Sequence, residues 1–195
     1  MKMPPVKANR INVKKLVYAE VLTDTTVETT YGEVKAVAPA MQIQLTPAVS
    51  TGTLYGDGVK QEVVSKLTGL TTVLDINKLP INVRADWYGH KYENGTIIVN
   101  KDDVPKTIAL GYMVEQTKKV NEYVWLYKGT PQPYAATVQQ ATDSINFSTD
   151  SITIEFVVRD SDGDLYKFAD SADSEFTEAM AEAWFEEVGG GTPTP

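Results

Sequence analysis

The sequence predicts a mainly β domain of the α+β class, with a short central helix and a C-terminal helix. Three features predict it. Apolar residues recur with period two over most of the chain, the spacing of a strand with one buried face. Asn94-Gly95 and Asp162-Gly163 each sit between strand-like runs and suit type I′ hairpin turns, which need φ > 0. Only two stretches show helical spacing with stop signals.

Along the chain, Leu16–Leu22 is the first strand and Met41–Leu45 alternates cleanly. Val63–Leu67 and Leu70–Ile76 read as neighbouring strands separated by Thr68-Gly69. In the next, Ile108, Leu110, Tyr112 and Val114 share one face, and Thr107, Ala109, Gly111, Met113 and Glu115 the other. Tyr123–Tyr127 is apolar on both faces, which predicts burial on both. Ile152, Ile154, Phe156 and Val158 alternate with Ser151, Thr153, Glu155 and Val157, a strand with one wetter face. A helix over Pro80–Tyr88 opens on proline, places Ile81, Ala85 and Tyr88 on one side, and stops at Gly89. A second helix spans about Glu175–Val188 with Ser174 or Asp173 as N-cap. Its apolar stripe is Phe176, Met180, Trp184 and Val188, and the first three are its anchors. It covers its own sheet or docks outside the molecule. Residues 46–60 are small and polar and read as a long loop, and loops of that length are commonly functional or mobile.

The 195 residues fit one domain, and 42% hydrophobic residues suffice for a core. The chain has no Cys, which excludes a disulfide scaffold, a thiolate metal site and a Cys nucleophile. The net charge of −8 argues against a simple nucleic-acid binder, which needs a basic face. The charge is uneven. Residues 143–195 hold 13 acids against Arg159 and Lys167, and residues 1–142 carry an excess of three bases. Such asymmetry lets copies attract head to tail, or simply solvates one end. No signal peptide and no membrane-length apolar stretch is seen, which predicts a soluble chain made in a cytoplasm. Residues 189–195, Gly-Gly-Gly-Thr-Pro-Thr-Pro, read as a linker or free tail, so that either the chain stops there or a further domain follows.

No catalytic, metal or cofactor site emerges. Asp160-Ser161-Asp162-Gly163-Asp164 begins like a calcium loop, but Leu165 and Ser171 stand where such a loop needs Gly and Glu. The only histidine, His90, has no nucleophile motif to serve and reads as structural. Gly56-Asp57-Gly58 lacks the third glycine and the following helix of a phosphate loop. No feature selects a carboxylate pair for general acid–base work, and the ten tyrosines lack the interleaved Lys and Arg of a base-stacking platform.

Several segments in order carry a resemblance. They are Leu16-Val17-Tyr18-Ala19, then Thr53-Leu54-Tyr55-Gly56-Asp57, then Leu79-Pro80 with Tyr88-Gly89-His90. Asp102-Asp103-Val104-Pro105, Ala109-Leu110-Gly111-Tyr112 and Tyr123–Gly129 follow, and Phe176-Thr177 with Trp184-Phe185 closes the series. From about residue 12 to 188 the chain resembles the major tail proteins of long, flexible-tailed (siphovirus-type) phages of Gram-positive bacteria. The first ten residues and the Gly/Pro end match no part of that pattern.

The resemblance implies a tail-tube domain over 1–188, a β-sandwich or half-barrel with a flanking helix. It includes an N-terminal arm at 1–12 and an inter-subunit loop at 46–60, with 189–195 as linker. It implies no enzyme and no cofactor, but a structural virion protein. Hexameric rings would stack into the tail tube, assembled in the host cytoplasm. DNA is the non-specific cargo on its way to the host. Tape measure, tail terminator and distal tail proteins are the implied partners, and some relatives carry an immunoglobulin-like domain after such a linker. About four strands per subunit make a wall of about 24 strands, roughly 37 Å across at ~4.8 Å per strand before tilt. A duplex of roughly 20 Å passes through it. Thr53, Leu54, Tyr55, Gly56 and Asp57 are the expected inter-subunit contacts, with Leu54 and Tyr55 as apolar anchors. Competing readings are a β-sandwich module on the virion surface or binding host glycans, and a metal-assisted hydrolase using the acidic C-terminal segment.

Overall fold

The computed structural model describes residues 7–140 and 147–190. The first six residues of the expected arm and residues 191–195 of the linker lie outside that range. The strands are β1 (Arg10–Asp24), β2 (Thr29–Tyr31), β3 (Lys35–Ala36), β4 (Ala40–Gly56) and β5 (Val59–Ile76). After α1 (Ile81–Tyr88) come β6 (Lys91–Glu93), β7 (Thr96–Ile98), β8 (Ile108–Gln116), β9 (Asn121–Pro131), β10 (Asp150–Val157) and β11 (Tyr166–Asp170), then α2 (Glu178–Ala183). Every pairing is antiparallel. The fold is mainly β, as the alternation predicts. Residues 10–12 of the expected arm already belong to β1.

Nine strands form one sheet, in the order β2-β1-β8-β9-β10-β5-β4, with β3 also on β1 and β11 also on β9. The sheet rolls. Side chains from β1, β5, β8, β9 and β10 share one core (Tyr18, Leu74, Leu110, Leu126 and Phe156 among them), so the face that carries them must curl around it. Helix α1 adds Val83, Trp87 and Tyr88 to this core. The expected helix is present, with a changed face: Ile81 is exposed, and Val83 and Trp87 are buried instead. Gly89 ends it in the left-handed region at φ 66°, where an added Cβ would also meet the Val104 carbonyl oxygen at 2.6 Å.

A second core covers the opposite face of β8 and β9. Ala109, Tyr123, Trp125 and Tyr127 point there, and Phe176, Ala181, Trp184, Phe185 and Val188 lie over them. The C-terminal segment thus covers its own sheet. Trp184 is buried, and its carbonyl accepts a 2.8 Å hydrogen bond from the Trp125 indole N–H. The helix within it is much shorter than the spacing predicts. It starts after Thr177, whose hydroxyl accepts from Met180 N–H, and not after Ser174 or Asp173. Aromatic contacts hold the remainder of the segment in place of helical turns: Phe176 and Trp184 rings are 5.8 Å apart, and both approach Tyr123.

Three further expectations change. Val63–Leu67 and Leu70–Ile76 are one continuous strand, β5. Thr68-Gly69 is a bulge, since Ala48 faces Gly69 and Val49 faces Leu67. A side chain at 69 would meet the Phe156 carbonyl oxygen at 2.7 Å. Asp162-Gly163 is not a type I′ hairpin: only Gly163 has positive φ, and β10 and β11 pair with different parts of β9. Finally, residues 46–60 are no loop but the end of a hairpin, β4–β5. Asn94-Gly95 does form the expected two-residue turn, with φ 50° and 77°.

Ion pairs tie the periphery to the barrel. Lys106 bridges Glu20 and Asp86 at 2.8 Å each, and Tyr18 donates its hydroxyl to Asp86 at 2.7 Å. Burial alone would raise the Asp86 carboxyl. Hydrogen bonds from Lys106, Tyr18 and Lys35 outweigh it and hold the group at about 2. Lys128 pairs with Asp24 and Asp160, joining the end of β1 to β9 and the β10–β11 connection.

Two outcomes follow from this packing. Trp184→Ala removes a side chain only 2% exposed; such truncations cost about 3–5 kcal/mol, or roughly 10 °C in a thermal melt of the purified chain. Asp86 has a folded pKa below its unfolded value, so its stabilisation is present above pH ~4 and is lost as pH falls towards 2. Asp86→Asn therefore melts below the parent at pH 7, and melting curves of the two converge near pH 2.

Candidate inter-subunit surface

The hairpin β4–β5 outruns its support. On β5, residues 69–76 pair with β10 as well as β4, but among the described residues only β4 pairs with Val59–Leu67. Val49–Gly56 and Val59–Leu67 therefore form a two-stranded arm outside the barrel, about 26 Å long for the eight residues of its first strand, the second having one more at a bulge. An isolated two-stranded ribbon is marginal in water. This one closes on Asp57-Gly58 at φ 50° and 75°, the type I′ geometry that matches strand twist.

The arm's two faces differ. Cross-strand pairs continue from the barrel: Ile43 with Leu74, Leu45 with Thr72, Pro47 with Leu70, then Val49 with Leu67, Thr51 with Ser65, and Thr53 with Val63. Leu70 and Leu74 belong to the first core. The bulge at Thr68 shifts β5 by one residue, so Leu67, Ser65 and Val63, and not Lys66, continue the core-facing row along the arm; this strip is uncharged as far as Thr53 and Val63, and Lys60 stands at its tip opposite Tyr55. The other face pairs Ser50 with Lys66, Gly52 with Val64, and Leu54 with Glu62. Val49, Leu54, Tyr55, Val59 and Val64 are each 60–67% exposed, which is costly for apolar groups without a covering partner.

Of the expected contact residues, Thr53, Leu54, Tyr55 and Gly56 lie at the end of β4, and Asp57 is the first turn residue. They do not share one face: Thr53 is on the uncharged strip and Leu54 on the other. Val49, Val63, Val64 and Leu67 do not stand out as contacts in the sequence, although Asp57-Gly58 between two β-rich runs is the signal that finds them. Of the helix anchors, Phe176 and Trp184 lie in the second core. Met180 is not among the residues packed on it, where Ala181 and Phe185 stand instead.

The acidic stretch 160–164 is engaged in ion pairs, Asp160 with Lys128, and Asp162 and Asp164 with Arg159. The Arg159 guanidinium stacks on Tyr127 at 3.7 Å. Among the described residues no group of three or more His, Asp or Glu is placed to hold a metal ion. His90 Nδ1 lies 2.7 Å from Asp103 and its ring stacks on Tyr88, a bond that fastens the loop after β7 to the end of α1. The Asn100 N–H and His90 hold the Asp103 carboxyl below its ordinary value.

Beside the arm's base, the barrel is open. A cleft of about 790 Å³ is lined by Ile11 and Val13 of β1, Leu45 of β4, Leu67 of β5, Val114 of β8 and Phe168 of β11. Arg10 and Glu122 pair there at 2.7 Å. The chemistry on offer is strand edges and apolar surface, which suits association and not catalysis.

The sequence pattern of the phage tail tube protein family matches residues 37–194, a span that includes the whole arm. No curated protein matches the chain. The chain belongs to the phage tail tube protein family, whose role is structural, within the virion tail. No helix among the described residues is long and apolar enough to cross a membrane.

The arm contributes no side chain to the described cores beyond its base. Asp57→Ala with Gly58→Ala removes the turn's left-handed preference, so amides of 49–56 lose hydrogen-exchange protection. The melting temperature moves by less than about 2 °C, because no core contact is touched.

Proposed function

We propose that this member of the phage tail tube protein family assembles into stacked hexameric rings. Together the rings form the tube through which phage DNA passes to the host. Assembly would take place in the host cytoplasm, with tape measure, tail terminator and distal tail proteins as partners. The observation that carries this reading is the arm, a ribbon with exposed apolar residues on both faces that its own chain leaves uncovered.

Two other features support it. The sheet ends in β4, whose outer edge has no partner among the described residues. Rings can remove such edges by pairing them between subunits. Short of the arm, the solvent face of β4, β5 and β10 carries Gln42, Gln44, Thr46, Thr71, Asp75, Ser151, Thr153 and Glu155, with no Lys or Arg among them. A tube wall of that composition gives passing phosphates nothing to hold. The net charge of −8 acts in the same direction.

Replacing residues 50–66 by a short turn, which leaves Leu67 in the cleft wall, tests the reading. The expected product is a monomer with a parental melting temperature that forms no rings or tubes by negative-stain microscopy, where the parent chain forms them. Tubes of normal diameter from the armless chain would sink the role given to the arm.

A further inference from the structure

The open cleft has the form of a missing strand. β4 ends the main strand order and β1 stands one strand in from the other end, yet both line the cleft. They approach without pairing, so the barrel is unzipped along this seam. On β1, residues 17–24 are covered on the outer edge by β2 and β3. Arg10–Lys15 has only β8, on its other side, among the described residues. Lys15 breaks the extended chain at φ 51°, which leaves roughly 16 Å of unpaired strand edge over Arg10–Lys14 beside an apolar cleft.

Within the same chain the arm is the complementary object. Its strands run about 26 Å, and each has a free outer edge among the described residues. One of its faces is uncharged for most of its length (Val49, Thr51, Thr53, Val63, Ser65, Leu67) and meets a charge only at the tip, where Tyr55 pairs with Lys60; the other carries Glu62 and Lys66. Laid along the edge of β1, a strand of this kind turns one face into the barrel and the other to water. The uncharged strip then meets Val114, Val124 and Leu70 in the cleft, and the charged face stays solvated.

We infer that the seam between β1 and β4 is the socket for the arm of a second copy, which adds to the free edge of Arg10–Lys14 and closes the neighbour's barrel. This rests on the arm being an assembly element and names the surface that receives it. The contact is heterologous: each copy has one arm and one socket, so pairing one leaves the other open, and copies link into a series.

Two variants separate the halves of the contact. A socket-blocked chain, Ile11→Glu with Phe168→Glu, changes positions 61% and 48% exposed and keeps its arm. An armless chain, with 50–66 replaced by a short turn, keeps Leu67 and the rest of its socket. Each is sized alone and then mixed with the other, by light scattering after gel filtration. The expected result is that each alone stays monomeric, and that the mixture gives one species of twice the chain mass and nothing longer. If the socket-blocked chain polymerises like the parent, the socket is elsewhere while the arm's role stands. If both remain monomeric when mixed, the inference is overturned as well. If the armless chain polymerises, it is the arm's role that fails. Should the double variant melt early, Ile11→Glu alone carries the same test.

Discussion

A strand with side chains buried on both faces forces a layer of protein onto each side of it, and β9 is such a strand. Val124 and Leu126 point into the rolled sheet, and Tyr123, Trp125 and Tyr127 point out of it. The inner set is satisfied by the sheet curling until β5 and β10 face β1 and β8. The outer set is satisfied by the C-terminal segment, locked by the Trp125-to-Trp184 hydrogen bond. Gly111 takes part in this second layer: a Cβ there would press on the Trp125 ring at 2.9 Å. Both cores thus hang on five consecutive residues, and what they leave uncovered is the remainder of the sheet, the arm and the seam.

Those five residues are legible in the sequence, because an aromatic and aliphatic run without alternation, too short for a buried helix, fits a strand covered on both faces. So are the partly wet strand at 150–157 and the helix between Pro80 and Gly89, each marked by period or by cap. Residues 46–60 are not. Their Thr, Ser, Gly and Pro content resembles a loop, and only the register with Val63–Leu67 shows a strand pair. The C-terminal helix is over-extended in the sequence pattern on different grounds. Four-residue spacing of apolar groups fits a helix, but here aromatic stacking on Tyr123 and Trp125 supplies the order that helical hydrogen bonds would have given. The seam lies beyond sequence reasoning, since it exists only where two strands distant in the sheet come together without pairing.

Fold and family agree on a structural part. The acids that suggest metal ligands in one dimension are neutralised in three by Lys128 and Arg159, and the single histidine is fastened to Asp103. What remains reactive is backbone: free strand edges and the apolar groups beside them.

The unequal faces of the arm have a further consequence, for the interval between synthesis and use. A bare β-ribbon with hydrophobic groups on both sides is the template on which chains aggregate. Here Lys60, Glu62 and Lys66 interrupt the run from Val59 to Leu67. Burying the side that bears Glu62 and Lys66 would strip two charges of water without giving them partners. These residues act as gatekeepers: they set a high penalty on indiscriminate sheet stacking and leave the stretch from Val49 to Thr53 and Val63 to Leu67 available for a fitted contact, with Lys60 marking its tip. A ribbon built this way can hold a fitted partner on one side without serving as a template on the other.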